Sequence, residues 1–259
     1  MCPIAISERH LLASAGYDRK IRIWDPVAAV EVSQLDASSD LITAIYVITI
    51  AGNDQLVSIH RGSIRVWDPR TQTGIEQIPA GELVASCLAE LNGQDLLISA
   101  NRETIQIWNP VTWQHADTPA AQPASITAMT SLTVQSRPLL VTGEFGGLIR
   151  TWDMAPVAPQ AAFAVHRGKV TALCPVTVND QTLVATAGTD RTVRIWDVLT
   201  ATCVMSIPVH HEALALAWLG NALAVGLTAG VIVIDLNAAV GAPGSAVGGA
   251  KAHAPPVGQ

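Results

Sequence analysis

The sequence predicts an all-β chain, a β-propeller of about six four-stranded antiparallel blades. Three observations carry this. An apolar strand ends six times in the same dipeptide or a worn copy of it, as Trp24-Asp25, Trp67-Asp68, Trp108-Asn109, Trp152-Asp153, Trp196-Asp197 and Ile234-Asp235. The steps between them are 43, 41, 44, 44 and 38 residues, the period of a blade of four short strands. The repeat also runs deeper than the dipeptide: Cys2–Asp25 laid without gaps on Cys174–Asp197 matches at 12 of 24 positions. The repeats occupy residues 1–236. Residues 237–259, rich in Ala, Gly and Pro with one charge, read as a flexible tail, because they offer little apolar surface to offset ordering entropy.

Each unit opens on a first strand that is apolar almost throughout, as in Leu41–Ile48, Ile126–Leu132 and Val170–Val178. Such runs suit strands covered on both faces. A reversal is expected at Asn53-Asp54, Asn92-Gly93 and Asn179-Asp180, where residues tolerating positive φ turn the chain. Second strands follow at Leu11–Ala15, Leu96–Ala100, Leu139–Thr142 and Leu183–Ala187, and each third strand ends at the dipeptide. Pro26, Pro69 and Pro110 close three of those strands, since proline cannot donate to the ladder. More polar outer strands, such as Val30–Leu35 and Ala161–Val165, complete the blades. Two deficits fall at the N/C junction. Met1 aligns with Leu173, inside a first strand, and strand formers are scarce after Asp235. The propeller is therefore expected to be incomplete there, to be mended by an upstream segment, and to self-associate through its unclosed edge.

Over residues 2–235 this pattern resembles the WD-repeat (WD40) family. The resemblance implies a hydrogen-bonded tetrad in each blade: a His before the first strand, a Ser or Thr in the second, an Asp in the next turn, and the Trp. His166, Thr186, Asp190 and Trp196 stand at the family's spacing, and the first unit supplies Ser14, Asp18 and Trp24. Elsewhere the pattern is partial, with Ser58 and Trp67, Ser99 and Trp108, and Thr142 and Trp152. Arg61 and Arg102 stand near the Asp position, Gly146 occupies it in unit four, and unit six keeps only His210. A Ser/Thr-His-Asp set invites comparison with a hydrolase. The structural role, satisfying buried polar atoms and orienting the Trp, accounts for it better.

The resemblance further implies that the residue before the tetrad Asp lies on a top rim around the central channel. Those residues are Tyr17, Phe145 and Thr189, with His60 and Asn101 in the two units with shortened turns. Arg61, Arg102, Glu103, Glu144 and Lys169 would add polar specificity. Tyr17 and Phe145 are two of only four Tyr and Phe residues, and exposed aromatics are favoured interface anchors.

Composition narrows the function. With 15 basic against 21 acidic residues the net charge is −6, and no basic cluster is visible along the chain, so nucleic acid is not an expected partner. Cys2, Cys87, Cys174 and Cys203 lack paired spacing and read as buried thiols in a reducing, cytoplasmic setting rather than as a disulfide or zinc site. No basic-plus-apolar leader is apparent at the N-terminus. Ala213–Ile234 is uncharged for 22 residues, but Gly220-Asn221, Gly226 and Gly230 fall where turns are due, so it reads as three strands and not a membrane span. Gly168-Lys169 lacks the rest of a phosphate loop, and His210-His211 would point in opposite directions along a strand. No catalytic residue, metal or cofactor is expected. The reading is a non-enzymatic interaction scaffold or regulatory platform that docks a protein or peptide on its top face. The alternative is a small-ligand sensor or enzyme using the central channel, for which the strand ends supply mainly Leu, Thr, Ser, Ala and Val.

Overall fold

The computed structural model describes residues 1–6, 9–16, 18–37, 41–50, 52–91, 93–101, 104–117, 126–154 and 157–236. Among them are 23 strands in six antiparallel sheets, and no helix. The fold is all-β and its sheets are blades of the propeller type. The chain divides into two units, Met1–Gln122 and Pro123–Gln259, with three blades in each.

In the first unit, blade one is β1 (Cys2–Ile6), β2 (Arg9–Ala15), β3 (Lys20–Asp25) and β4 (Val30–Asp36). Blade two is β5 (Ile42–Ile50), β6 (Asn53–His60), β7 (Ser63–Asp68) and β8 (Thr73–Pro79). Blade three is β9 (Ala85–Leu91), β10 (Gln94–Ala100), β11 (Ile105–Trp108) and β12 (His115–Asp117). Two Trp side chains of this unit seal a blade against the one before it. Trp67 is buried with Ile4, Leu11 and Ile23 of blade one, and Trp108 with Val57, Ile59 and Val66 of blade two. Burying a side chain of this size contributes about 3 kcal/mol, so Trp67 and Trp108 add substantially to the contact between sheets.

In the second unit, blade four is β13 (Ile126–Val134), β14 (Arg137–Glu144), β15 (Leu148–Met154) and β16 (Val157–Ala164). Blade five is β17 (Val170–Val178), β18 (Gln181–Gly188), β19 (Thr192–Asp197) and β20 (Thr202–Pro208). Blade six is β21 (Ala213–Trp218), β22 (Ala222–Leu227) and β23 (Gly230–Asp235), with three strands among the described residues. The uncharged stretch Ala213–Ile234 thus folds as three strands; of its glycines Gly220 lies in a turn as expected, whereas Gly226 falls inside β22 and Gly230 opens β23. No helix among the described residues is long and apolar enough to cross a membrane. Val170, Val184 and Trp196 pack on Val141 and Ile149 of blade four, while Val176, Ala185 and Ile195 pack on Leu223 and Val225 of blade six. Thr127 donates its hydroxyl to the Val170 carbonyl at 2.5 Å, and Thr171 does the same to Ala213, so first strands are also joined by side-chain bonds.

The Trp-Asp dipeptide has a second duty. The Oδ1 of Asp25, Asp68, Asn109 and Asp197 accepts the N–H groups two and three residues on, which folds the chain into the outer strand. Only an acceptor is required, and for that reason Asn109 serves as well as an aspartate. Four residues after each of these acceptors the backbone enters positive φ, at Ala29, Gln72, Trp113 and Ala201.

One expected turn is displaced. Asn53 and Asp54 open β6, and the reversal falls at Gly52 with φ of 77°. The aspartate is held in the ladder because Thr49, its cross-strand partner, donates to Asp54 Oδ1 at 2.7 Å.

Candidate functional site

In blades one, two, four and five, the turn between second and third strands lies at the same sheet end as the loop leading into the next first strand. Backbone bonds tie these features together. The carbonyls of Arg19, Gly62, Gly147 and Arg191 accept the N–H groups of Ala37, Ala80, Val165 and Val209, in each case eighteen residues downstream. In the second unit the ties form a continuous rim. Gly147 O also takes the His166 N–H, Thr189 N–H donates to Lys169 O, and Thr228 N–H donates to Glu212 O.

At the centre of this rim lies a side-chain knot. Asp190 Oδ1 accepts from His166 Nδ1 at 2.9 Å and from the Thr192 hydroxyl at 2.8 Å, while its Oδ2 accepts the Arg167 N–H at 3.1 Å. A carboxylate only accepts, so Nδ1 carries the ring proton and Nε2 receives the Thr186 hydroxyl at 2.8 Å. The imidazole is wholly buried. Gly188 makes room for it, since a Cβ there would sit 2.6 Å from the ring. This is three-quarters of the expected tetrad. The fourth member departs from expectation: the Trp196 indole N–H has no hydrogen-bond partner among the described residues, and the ring instead tilts against Phe163 with centroids 5.4 Å apart.

Two segments of the chain, 6–25 and 158–197, match the family model described as WD domain, G-beta repeat. The second holds the whole His166–Thr186–Asp190–Trp196 set. The chain carries WD40 repeats. Among curated proteins no relative matches it. Both matched segments end on a Trp-Asp dipeptide, and the longer begins in β16 of blade four, so the WD40 sequence repeat runs ahead of the blade by one outer strand.

Blades one to four keep the inner half of the set. Trp24, Trp67, Trp108 and Trp152 donate to Ser14, Ser58, Ser99 and Thr142 at 2.7, 2.8, 2.8 and 3.0 Å. Asp18 does not join its blade's network. It is exposed and pairs with Arg22, which holds its carboxyl below the usual carboxylate range. His210 is exposed, because blade six has no aspartate in its turn to draw the ring inward.

The structure corrects two rim residues. His60 is fully buried and cannot face a partner. It lies two residues after Ser58 on the same strand face, and its Nε2 meets Ser58 Oγ at 2.9 Å. Glu144 stands likewise two residues after Thr142, is buried, and pairs with Arg150. Blades two and four have no His before their first strands, and His60 and Glu144 occupy the position that Gly188 leaves open for His166. The same period-two count, applied from the Ser or Thr, would have found both in the sequence.

The remaining rim residues are distributed as follows. Phe145 is 64% exposed at the tip of its turn. Thr189 and Lys169 are half-buried and joined through their backbones. Asn101 is half-buried and shapes its own turn by accepting the Thr104 N–H at 2.7 Å. Arg61 is exposed and pairs with Glu82. Tyr17, Arg102 and Glu103 lie outside the described residues.

The knot makes stability depend on pH. Burial pushes His166 below its ordinary 6.5, outweighing the Asp190 carboxylate, so the folded state disfavours its protonation. That contribution is present above about pH 6.5 and is lost as pH falls. Burial opposes ionisation of Asp190, but the bonds from Arg167, Thr192 and His166 prevail and hold it below its ordinary 3.8, so its share is lost on further acidification. Melting temperature should therefore fall on acidification below neutrality, with the first step missing in His166→Gln. Parallel pH profiles for the two proteins would place the acid sensitivity elsewhere.

Proposed function

We propose that this chain is a non-enzymatic interaction module that docks a protein or peptide on the rim of its second unit, with Phe145 as the anchor. WD40 propellers generally serve as protein-interaction scaffolds, and one observation favours this face. Phe145 carries a large apolar ring, 64% exposed, on a turn whose backbone is already fixed. Gly147 N–H closes the turn onto Glu144 O, the Glu144 side chain is held by Arg150, and Gly147 O is bonded to the next loop. A ring presented on a rigid turn loses little freedom when a partner covers it, so most of its burial appears as affinity. Residence in a reducing, cytoplasmic compartment belongs to the same reading, since all four cysteines are free thiols and burial raises Cys87 to about 12.

Phe145→Ala should weaken capture of a partner by about 2 kcal/mol, roughly thirtyfold, with the melting temperature unchanged. Asp180→Asn, in the turn at the opposite sheet end, should be silent. Quantitative pull-down with purified wild-type and variant chains tests this, and undiminished capture by Phe145→Ala would move the site off this rim.

A further inference from the structure

The same rim exposes charge that the linear sequence scatters. Arg167 and Lys169 precede β17 and Arg191 precedes β19, yet the rim bonds gather them around one turn. Arg167 N–H is held by Asp190, Lys169 O by Thr189, and Arg191 O by Val209. None of the three side chains forms an ion pair with a described residue. The acids at this end are mostly committed, Asp190 to His166 and Glu144 to Arg150, which leaves Glu212 as the single exposed carboxylate among the described residues of the second unit's rim. In the first unit Arg22 is matched by Asp18 and Glu31, Lys20 by Asp36 and Arg61 by Glu82, while Arg19, the counterpart of Arg191, stands exposed without an ion pair to a described residue. A chain of net charge −6 thus gathers unpaired positive charge on the same rim as Phe145, the most exposed Phe or Tyr among the described residues.

We infer that the partner presents an acidic peptide segment to the second unit's rim, its carboxylates facing Arg167, Lys169 and Arg191 and an apolar side chain lying on Phe145. This rests on the reading of Phe145 as anchor and adds the chemistry of what docks there. Exposed charge pairs contribute little individually, but a same-sign group with no local partner steers an oppositely charged segment into register and makes binding sensitive to salt.

The test is fluorescence anisotropy on the full chain with a short synthetic peptide of glutamates around one leucine. Controls are the same peptide with glutamine for each glutamate, and a single-stranded oligonucleotide. The glutamate peptide should bind about tenfold more tightly than the glutamine peptide at low salt, and the difference should vanish at about 1 M salt. The double variant Arg167→Gln, Arg191→Gln should lose that advantage while melting like the wild type. Equal binding of the two peptides, no binding of the acidic one, or a double variant indistinguishable from wild type would overturn the inference. Binding of the oligonucleotide as tight as that of the peptide would overturn the assignment to a peptide. Phe145→Ala reads the underlying site separately. If it weakens both peptides while the charge variant does nothing, the rim stands and the acidic partner falls. If only the charge variant matters, the anchor falls.

Discussion

Gly147→Ala should destabilise the chain by about 3 kcal/mol or more. Gly147 adopts φ of 82°, a conformation that costs an L-residue about 1–2 kcal/mol. A Cβ there would lie 2.1 Å from the His166 carbonyl oxygen and 2.8 Å from that of Gly168. Both obstacles are backbone, so the turn and the loop must separate, breaking the bonds from Val165 and His166 to Gly147 O. Each buried N–H left without a partner adds about 1–3 kcal/mol. Gly146 is the control, because it has no positive φ and a Cβ there would meet nothing within 4 Å. Denaturant titration should show a large drop in midpoint for Gly147→Ala and little change for Gly146→Ala. Equal midpoints would mean that this contact does not hold the rim together.

Asp190→Ala should cost nearly as much, about 3 kcal/mol, for a different reason. The substitution creates little empty volume but strands the donors that converge on the carboxylate. His166 Nδ1 and the Thr192 hydroxyl both lose Oδ1, and the Arg167 N–H loses Oδ2. The imidazole is wholly buried, so water cannot replace the lost bond without opening the rim. The comparison is Asp18→Ala, which stands in the matching turn of blade one but is exposed and holds only Arg22 and a nearby backbone group. That change should be nearly silent in a thermal melt. Similar losses at both positions would show that the carboxylate serves its own turn rather than the buried knot.

The contrast between these two aspartates shows how far sequence reasoning reaches. Strand positions were legible because the Trp and the acceptor after it impose local rules: β17 runs Val170–Val178, as the apolar run predicts. Other features follow no local rule. His60 occupies a turn-like position in the alignment, yet the alternation of a strand that continues through it turns the ring inward beside Ser58. Ala29, Gln72, Trp113 and Ala201 take positive φ without being Gly or Asn, because the preceding acceptor dictates the turn and overrides residue preference. The basic group on the rim was invisible for a geometric reason. Arg191 lies more than twenty residues from Arg167 and Lys169 in the chain, and only the bonds of Asp190 and Thr189 bring the three together.

The ties between Arg19 and Ala37, Gly62 and Ala80, Gly147 and Val165, and Arg191 and Val209 use main-chain atoms at both ends. They ask nothing of the side chains they carry beyond room to pass, which is why an arginine and a glycine can occupy equivalent places. Where that room exists, as at Arg19 and Arg191 but not at Gly147, mutation can therefore rewrite the outward chemistry of the rim without disturbing the scaffold beneath. A lineage built on such a frame can acquire a new binding preference by drift on the surface, and an engineer could graft a chosen one by the same route.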